Sequence, residues 1–188
     1  LLFVEKKGYR TFRYHYWKAM QDLMLKNFAK KVYDWCDVNG YKLTGHYVEE
    51  SSMGAQMWCC GGIMPFYEYE HIPGMDCLER DCSSETAPKQ VGSVAQQLGI
   101  KQVLTETFGC AGFDATPQEL KHLGEYQYFN GVSLLCHHLY PYTMVGQGKT
   151  DHPPVFAKDG NWWEGFKTLN DHFTRLGYIV SNTKEKYD

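Results

Sequence analysis

The chain has 188 residues, 43% of them hydrophobic and 22% charged, with a formal net charge of −3. That balance buries a core and excludes wholesale disorder. Without a run of Lys or Arg it also excludes nucleic-acid or membrane-surface binding carried by bulk charge. No apolar stretch approaches the roughly 18 residues of a membrane span, and Leu1-Leu2-Phe3-Val4 is too short for a signal-peptide core. The chain opens on Leu1 rather than Met, so it is expected to be an excerpt of a longer protein.

The first periodic segment spans residues 16–38. Trp17, Met20, Leu23, Met24, Phe28, Val32 and Trp35 recur at helical steps, and Asn39-Gly40 closes the helix as a left-handed cap. Residues 41–48 read as a strand that ends in Glu49-Glu50, and 66–72 as a second strand stopped by Pro73-Gly74. Residues 76–88, around Arg80-Asp81-Cys82-Ser83-Ser84-Glu85, read as a long solvated loop. A helix follows over 88–98, then the clearest strand, 101–108, ended by Gly109. Thr116-Pro117-Gln118-Glu119 opens the next helix with an N-cap, a proline at N1 and an acid at N3. Residues 131–140 read as a fourth strand, 162–176 as a last helix and 178–180 as the start of another strand.

Alternating strands and helices at this spacing imply parallel strands with helical crossovers. No Gly-rich phosphate loop follows the first strand, which disfavours a nucleotide-binding open sheet. The fold class is therefore read as α/β, the C-terminal portion of a (β/α)8 (TIM) barrel with parallel strands and outer helices. A full barrel takes about 250 residues, so 1–188 reads as one partial domain.

Seven cysteines, Cys36, Cys59, Cys60, Cys77, Cys82, Cys110 and Cys136, form no CxxC motif. They read as reduced thiols of a cytoplasmic protein rather than a disulfide framework or a zinc ribbon. Fourteen Tyr, ten Phe and five Trp, many beside Gly, His and acids, suggest a pocket lined with rings and polar groups.

In parallel α/β folds the catalytic groups project from the C-terminal ends of strands. Here those ends carry His46, Glu49 and Glu50; Glu68, Glu70 and His71, with Asp76 after the turn; Glu106; and His137, His138 and Tyr140. Glu106 leaves an otherwise buried strand, where a carboxylate is costly unless it is paired or functional. Glu50 is the natural second carboxylate, since glycoside hydrolysis needs an acid and a base or nucleophile. Glu49 faces away under strand alternation and reads as a solvated charge. His46, His137 and His138 suit sugar hydroxyls or a metal, although no HxH or HExxH spacing supports zinc. Trp58, Phe108, Tyr140, Trp162 and Trp163 are candidate sugar platforms or core rings, and Asp76 a pocket acid or a turn cap.

Taken together, these motifs resemble bacterial (β/α)8 glycoside hydrolases, most of all the α-L-rhamnosidase type. The resemblance is carried by Gly45-His46 with Glu50, by Gln56 and Gly61-Gly62, and by Tyr67-Glu68-Tyr69 leading to Pro73-Gly74-Met75-Asp76. It continues in Lys89-Gln90 with Ser93 and Ala95, in Thr105-Glu106 with Gly109 and Gly112-Phe113, and in the segment 131–138 with its histidine pair. It implies hydrolysis of an oligosaccharide or glycoside by Glu50 and Glu106; the strand ends and loops themselves offer His46, Glu68, Asp76, His137, His138, Tyr140, Trp162 and Trp163 as substrate-binding residues. A calcium ion near the sugar site is also implied, without assignable ligands. Neither a nucleic-acid nor a membrane partner is expected, and exposed barrel edges would pair with themselves or with a missing barrel portion. Two rival readings are a sugar-binding protein without chemistry and a metal-dependent hydrolase or isomerase on the same barrel, built on His46, His137, His138 and an acidic residue.

Overall fold

The computed structural model describes residues 1–80, 84, 86–150, 152–158, 160 and 162–184, with the backbone alone at 149 and 150. Residues 81–83 and 85 of the expected solvated loop, Cys82 among them, lie outside the described residues. Helix α1 (Tyr9–Met24) runs through a π turn (Leu25–Ala29) into α2 (Lys30–Val38). Then come α3 (Met53–Cys60), a 3-10 turn (Met64–Tyr69), β1 (Gly74–Cys77), α4 (Thr86–Leu98), β2 (Leu104–Thr107), α5 (Pro117–Phe129), β3 (Leu134–His137), a second 3-10 turn (Gly146–Thr150) and α6 (Trp163–Ser181). The fold is a mixed α/β arrangement around a parallel sheet of order β1-β2-β3.

Three expectations from the sequence change. The strand read at 66–72 is a 3-10 turn, and the first strand lies just beyond it, in what read as a turn. Ile63, Phe66, Tyr67 and Glu70 are all buried, and that helical spacing, with two adjacent buried rings, defeats the alternation a strand needs. The strand read at 41–48 reduces to one parallel bridge, Thr44 to Ile72. Residues 178–180 extend α6, whose Leu169, Phe173 and Gly177 keep one buried face at steps of four. Helix α3, capped by the Ser52 side chain on Ala55 N–H, was not expected. The capping box at α5 forms as the sequence implies: Glu119 N–H donates to Thr116 Oγ1 at 3.2 Å, and Thr116 N–H to Glu119 Oε2 at 2.8 Å.

Two apolar clusters hold the sheet to its helices. One gathers Ile63, Phe66, Tyr67, Met75, Val91 and Val132; the other gathers Phe108, Leu120, Leu123, Tyr128, Phe156 and Phe173. Helix α1 buries none of its residues, and Met20, Leu23, Phe28, Val32 and Trp35 are exposed along α1 and α2. The apolar period marked the helix correctly, but most of its stripe is left uncovered by the described residues.

Strand β2 shows how the sheet is used. Thr105 and Thr107 are buried on one face, where Gln127 of α5 ties them together: Thr105 Oγ1 donates to Gln127 Oε1 at 2.6 Å, and Gln127 Nε2 donates to Thr107 Oγ1 at 2.8 Å. Leu104 and Glu106 point the other way and are half-buried. Register pairs Asp76 with Glu106 and Glu106 with Cys136. Side chains level with one another on neighbouring parallel strands share a face. The helices therefore pack on the Thr105 side, and the opposite face presents Asp76, Glu106 and Cys136.

Candidate active site

The C-terminal ends of the strands bring four of the expected residues together. The Thr44 bridge carries the chain across the start of β1, so close that a Cβ on Gly74 would collide with Gly45 O. This crossing sets His46 beside the sheet: its Nε2 lies 3.4 Å from Glu106 Oε2 and 3.9 Å from Asp76 Oδ2. From β3, His138 Nε2 approaches the other Glu106 oxygen at 3.7 Å. Glu106 thus stands between two imidazoles on the open face. Among the described residues, Asp76 Oδ1 and His138 Nδ1 are buried without a hydrogen-bond partner.

Glu50 comes to the same place by a tight turn. Glu49 takes a left-handed φ of 63° and stays exposed, so the adjacent pair is divided by a turn and not by strand alternation. Glu50 is only 5% exposed. Its Oε2 accepts from Asp76 N–H at 2.8 Å, and its Oε1 accepts from Tyr47 N–H at 3.3 Å and from the Tyr67 hydroxyl at 3.0 Å. Burial favours the neutral acid and these donors favour the anion. Burial prevails, and the carboxyl is pushed up to about 7. Burial also raises Asp76; His46 opposes the rise and Glu106 adds to it. A cleft of about 570 Å³ opens here, lined by His46, Glu50, Asp76, Ala87 and Tyr126 among others.

The structure does not bring every expected residue to this cluster. Glu68 is exposed on the 3-10 turn, while Glu70, two residues on, points inward and is 4% exposed. His137 points to the helix side of the sheet, into Phe108, Phe156, Phe166 and Phe173, and burial pushes it down to about 4. Phe108 is a fully buried core ring, and Trp162 packs on Phe156 and Phe166. Trp58 is exposed, its ring edge-on to Trp17. Tyr140 and Trp163 meet edge to face at 6.4 Å and remain partly exposed.

Sequence reasoning missed Tyr47 and Tyr67 as partners of the site, and it gave Glu70, named at a strand end, no role there. It also missed Cys110, whose Sγ lies 2.8 Å from His152 Nδ1, with the His152 ring edge-on to His138 at 5.4 Å. The signal for Glu70 was its helical spacing from Ile63, Phe66 and Tyr67; the Cys110–His152 pairing, 42 residues apart, had none.

Calcium takes six to eight oxygen ligands. Among the described residues, no group of three or more His, Cys, Asp or Glu side chains is placed to hold a metal ion. Asp76 and Glu106 bring two carboxylates near one another, flanked by imidazoles, so the described residues do not by themselves fit the calcium ion that the resemblance implies. No disulfide joins any two of the six described cysteines. No described helix is long and apolar enough to cross a membrane.

No family model matches the chain. It is 25% identical over 191 residues to a protein of Formosa agariphila named "Putative beta-glucuronidase", covering 94% of this chain and 15% of that protein. Among solved structures, the rhamnosidase from Novosphingobium sp. PP1Y superposes with a TM-score of 0.79 at 19% identity, over 94% of this chain and 17% of that one. The chain is thus similar to glycoside hydrolases and rhamnosidase-like in fold. It spans about a sixth of the length of either relative.

Proposed function

We propose that the chain supplies catalytic residues of a glycoside hydrolase, and that its three parallel strands belong to a (β/α)8 barrel. Parallel strands alternating with helices, and a polar cluster at the strands' C-terminal ends, support the barrel. The observation that carries the activity is the division between two carboxylates. Glu50 is buried and holds its proton up to about 7, while Glu106 stands half-exposed between His46 and His138. Two carboxyl groups in contrasting environments are what acid and base assignments require.

In this reading Glu50 protonates the departing glycosidic oxygen, and Glu106 activates water or attacks the anomeric carbon itself. His46 and His138 flank Glu106 on both of its oxygens, and both rings carry nitrogens that can hydrogen-bond sugar hydroxyls. Asp76 places its backbone N–H on Glu50, so the anion left after proton transfer is met by a donor already in position. The exposed Tyr140–Trp163 pair is a platform for a further sugar ring.

The relatives' names, a glucuronidase and a rhamnosidase, both designate glycosidases, and they define the first substrates to try. Purified protein carrying this chain is assayed on 4-nitrophenyl α-L-rhamnoside, β-D-glucuronide and a panel of other aryl glycosides, beside its Glu106→Gln variant. Turnover of one glycoside, lost by about 10²-fold or more in the variant, supports the proposal and identifies the sugar. Turnover within tenfold of wild type in a folded Glu106→Gln variant contradicts it.

A further inference from the structure

Glu70 is the buried acid that this mechanism leaves unused. It follows the 3-10 turn in extended backbone and touches both arms of the crossing that carries the site. Its Oε2 accepts Gly74 N–H at 2.8 Å, its Oε1 faces Gly45, and the Tyr47 hydroxyl stands near it. Tyr47 then lies between the two glutamates: its hydroxyl faces Glu70, and its backbone N–H bonds Glu50. The Tyr47 ring lies 4.9 Å from Phe66 and 6.0 Å from Tyr67, whose own hydroxyl bonds Glu50.

We infer that Glu70 is a positioning residue that holds Glu50 in place through Tyr47 and Gly74. Without it, the Gly74 N–H loses its buried acceptor and the Tyr47 hydroxyl a polar neighbour, which such groups do not tolerate without rearrangement. The 44–50 segment then loosens from β1, and water reaches Glu50. The groups facing Glu70 are Tyr47 and Glu50 from that segment, Tyr67 from the 3-10 turn and the Gly74 N–H from β1. Cys60 of α3 acts on Tyr47. None of these is a cation, and burial raises Glu70 to about 8, so at neutral pH it serves as an uncharged hydrogen-bonding acid. An amide can take over most of that role; a methyl group cannot.

The inference rests on the reading that Glu50 matters to the reaction, so its test reads Glu50 directly. In protein labelled with 13C at the glutamate carboxyl carbons, the Glu50 resonance, assigned by its loss in Glu50→Gln, is titrated in wild type, Glu70→Gln, Glu70→Ala and Tyr47→Phe. The expected result is a midpoint lowered by about one unit or more in Glu70→Ala and Tyr47→Phe as solvent enters, and retained in Glu70→Gln. An unchanged midpoint in folded Glu70→Ala overturns the inference; if that variant does not fold, an unchanged midpoint in Tyr47→Phe does so. A lowered midpoint alongside full turnover of an alkyl glycoside in Glu50→Gln would leave the positioning intact and remove the general-acid assignment instead.

Discussion

At the residue scale, Glu50 sets the expected pH behaviour. A general acid acts only while protonated, so kcat/KM should fall as pH rises through about 7. Stability follows the same sign. Glu50 and Glu70 are raised from 4.5 to about 7 and about 8, so the folded state binds protons that the unfolded state has already released. Their contribution is complete below about 4.5 and is lost as pH rises through 7 and 8. Melting temperatures should therefore decline across that window in wild type, and less steeply in Glu70→Gln. His137 works in the opposite direction. Lowered from 6.5 to about 4, it takes up a proton more readily when unfolded, and destabilises as pH falls between those values by up to about 3 kcal/mol. His137→Phe should remove that acid-side loss, read as a melting temperature that rises relative to wild type as pH falls from 6 to 4. These assignments were partly legible beforehand. Glu50, Glu106, His46, His138 and Asp76 all stand at strand ends or just past a turn. His137 could not be told from His138 by position, because adjacent residues on a strand face opposite sides and the sequence does not say which side is open.

At the scale of elements, the crossing of 44–45 over β1 positions the site and depends on one missing side chain. Gly74→Ala would drive a methyl group into Gly45 O, and backbone yields less readily than a side chain. The variant should lose about 1–3 kcal/mol, measured by denaturant unfolding, together with the alignment of His46 and Glu50. Gln127 plays the matching part on the helix side: it is fully buried and bonded to Thr105 and Thr107. Gln127→Leu should cost about 1–3 kcal/mol by leaving those hydroxyls short of partners. The elements legible in the sequence were those with strong local signals. Helix α5 announces itself by Thr116, Pro117 and Glu119, and β2 by its apolar approach to Glu106. Strand β1 was hidden because Pro73-Gly74 reads as a turn. Here the proline closes the preceding segment, and the glycine is required by the tight crossing.

At the scale of the molecule, an all-parallel sheet normally has both faces covered. Here α4, α5 and α6 cover one face; the other shows half-buried Asp76 and Glu106 and exposed Cys136. β3 is an edge strand, and the apolar stripe of α1 and α2 is open. Relatives about six times longer provide a reason for such surfaces, since contiguous exposed apolar patches mark places where other elements dock. Expressed alone, the 188 residues should associate in sedimentation velocity through the free edge and the apolar stripe. In hydrogen exchange, β2, paired on both sides, should be better protected than β3.

The central claim, that Glu50 and Glu106 divide acid and base work on a glycosidic bond, is tested most directly by the leaving group. Glycosides of 2,4-dinitrophenol depart without a proton, whereas alkyl glycosides need one. In the protein carrying this chain, Glu50→Gln should cleave the dinitrophenyl glycoside within about tenfold of wild type and lose about 10²–10⁴-fold on the alkyl glycoside. Equal losses on both substrates, or none on either, would contradict the assignment of Glu50 as the acid.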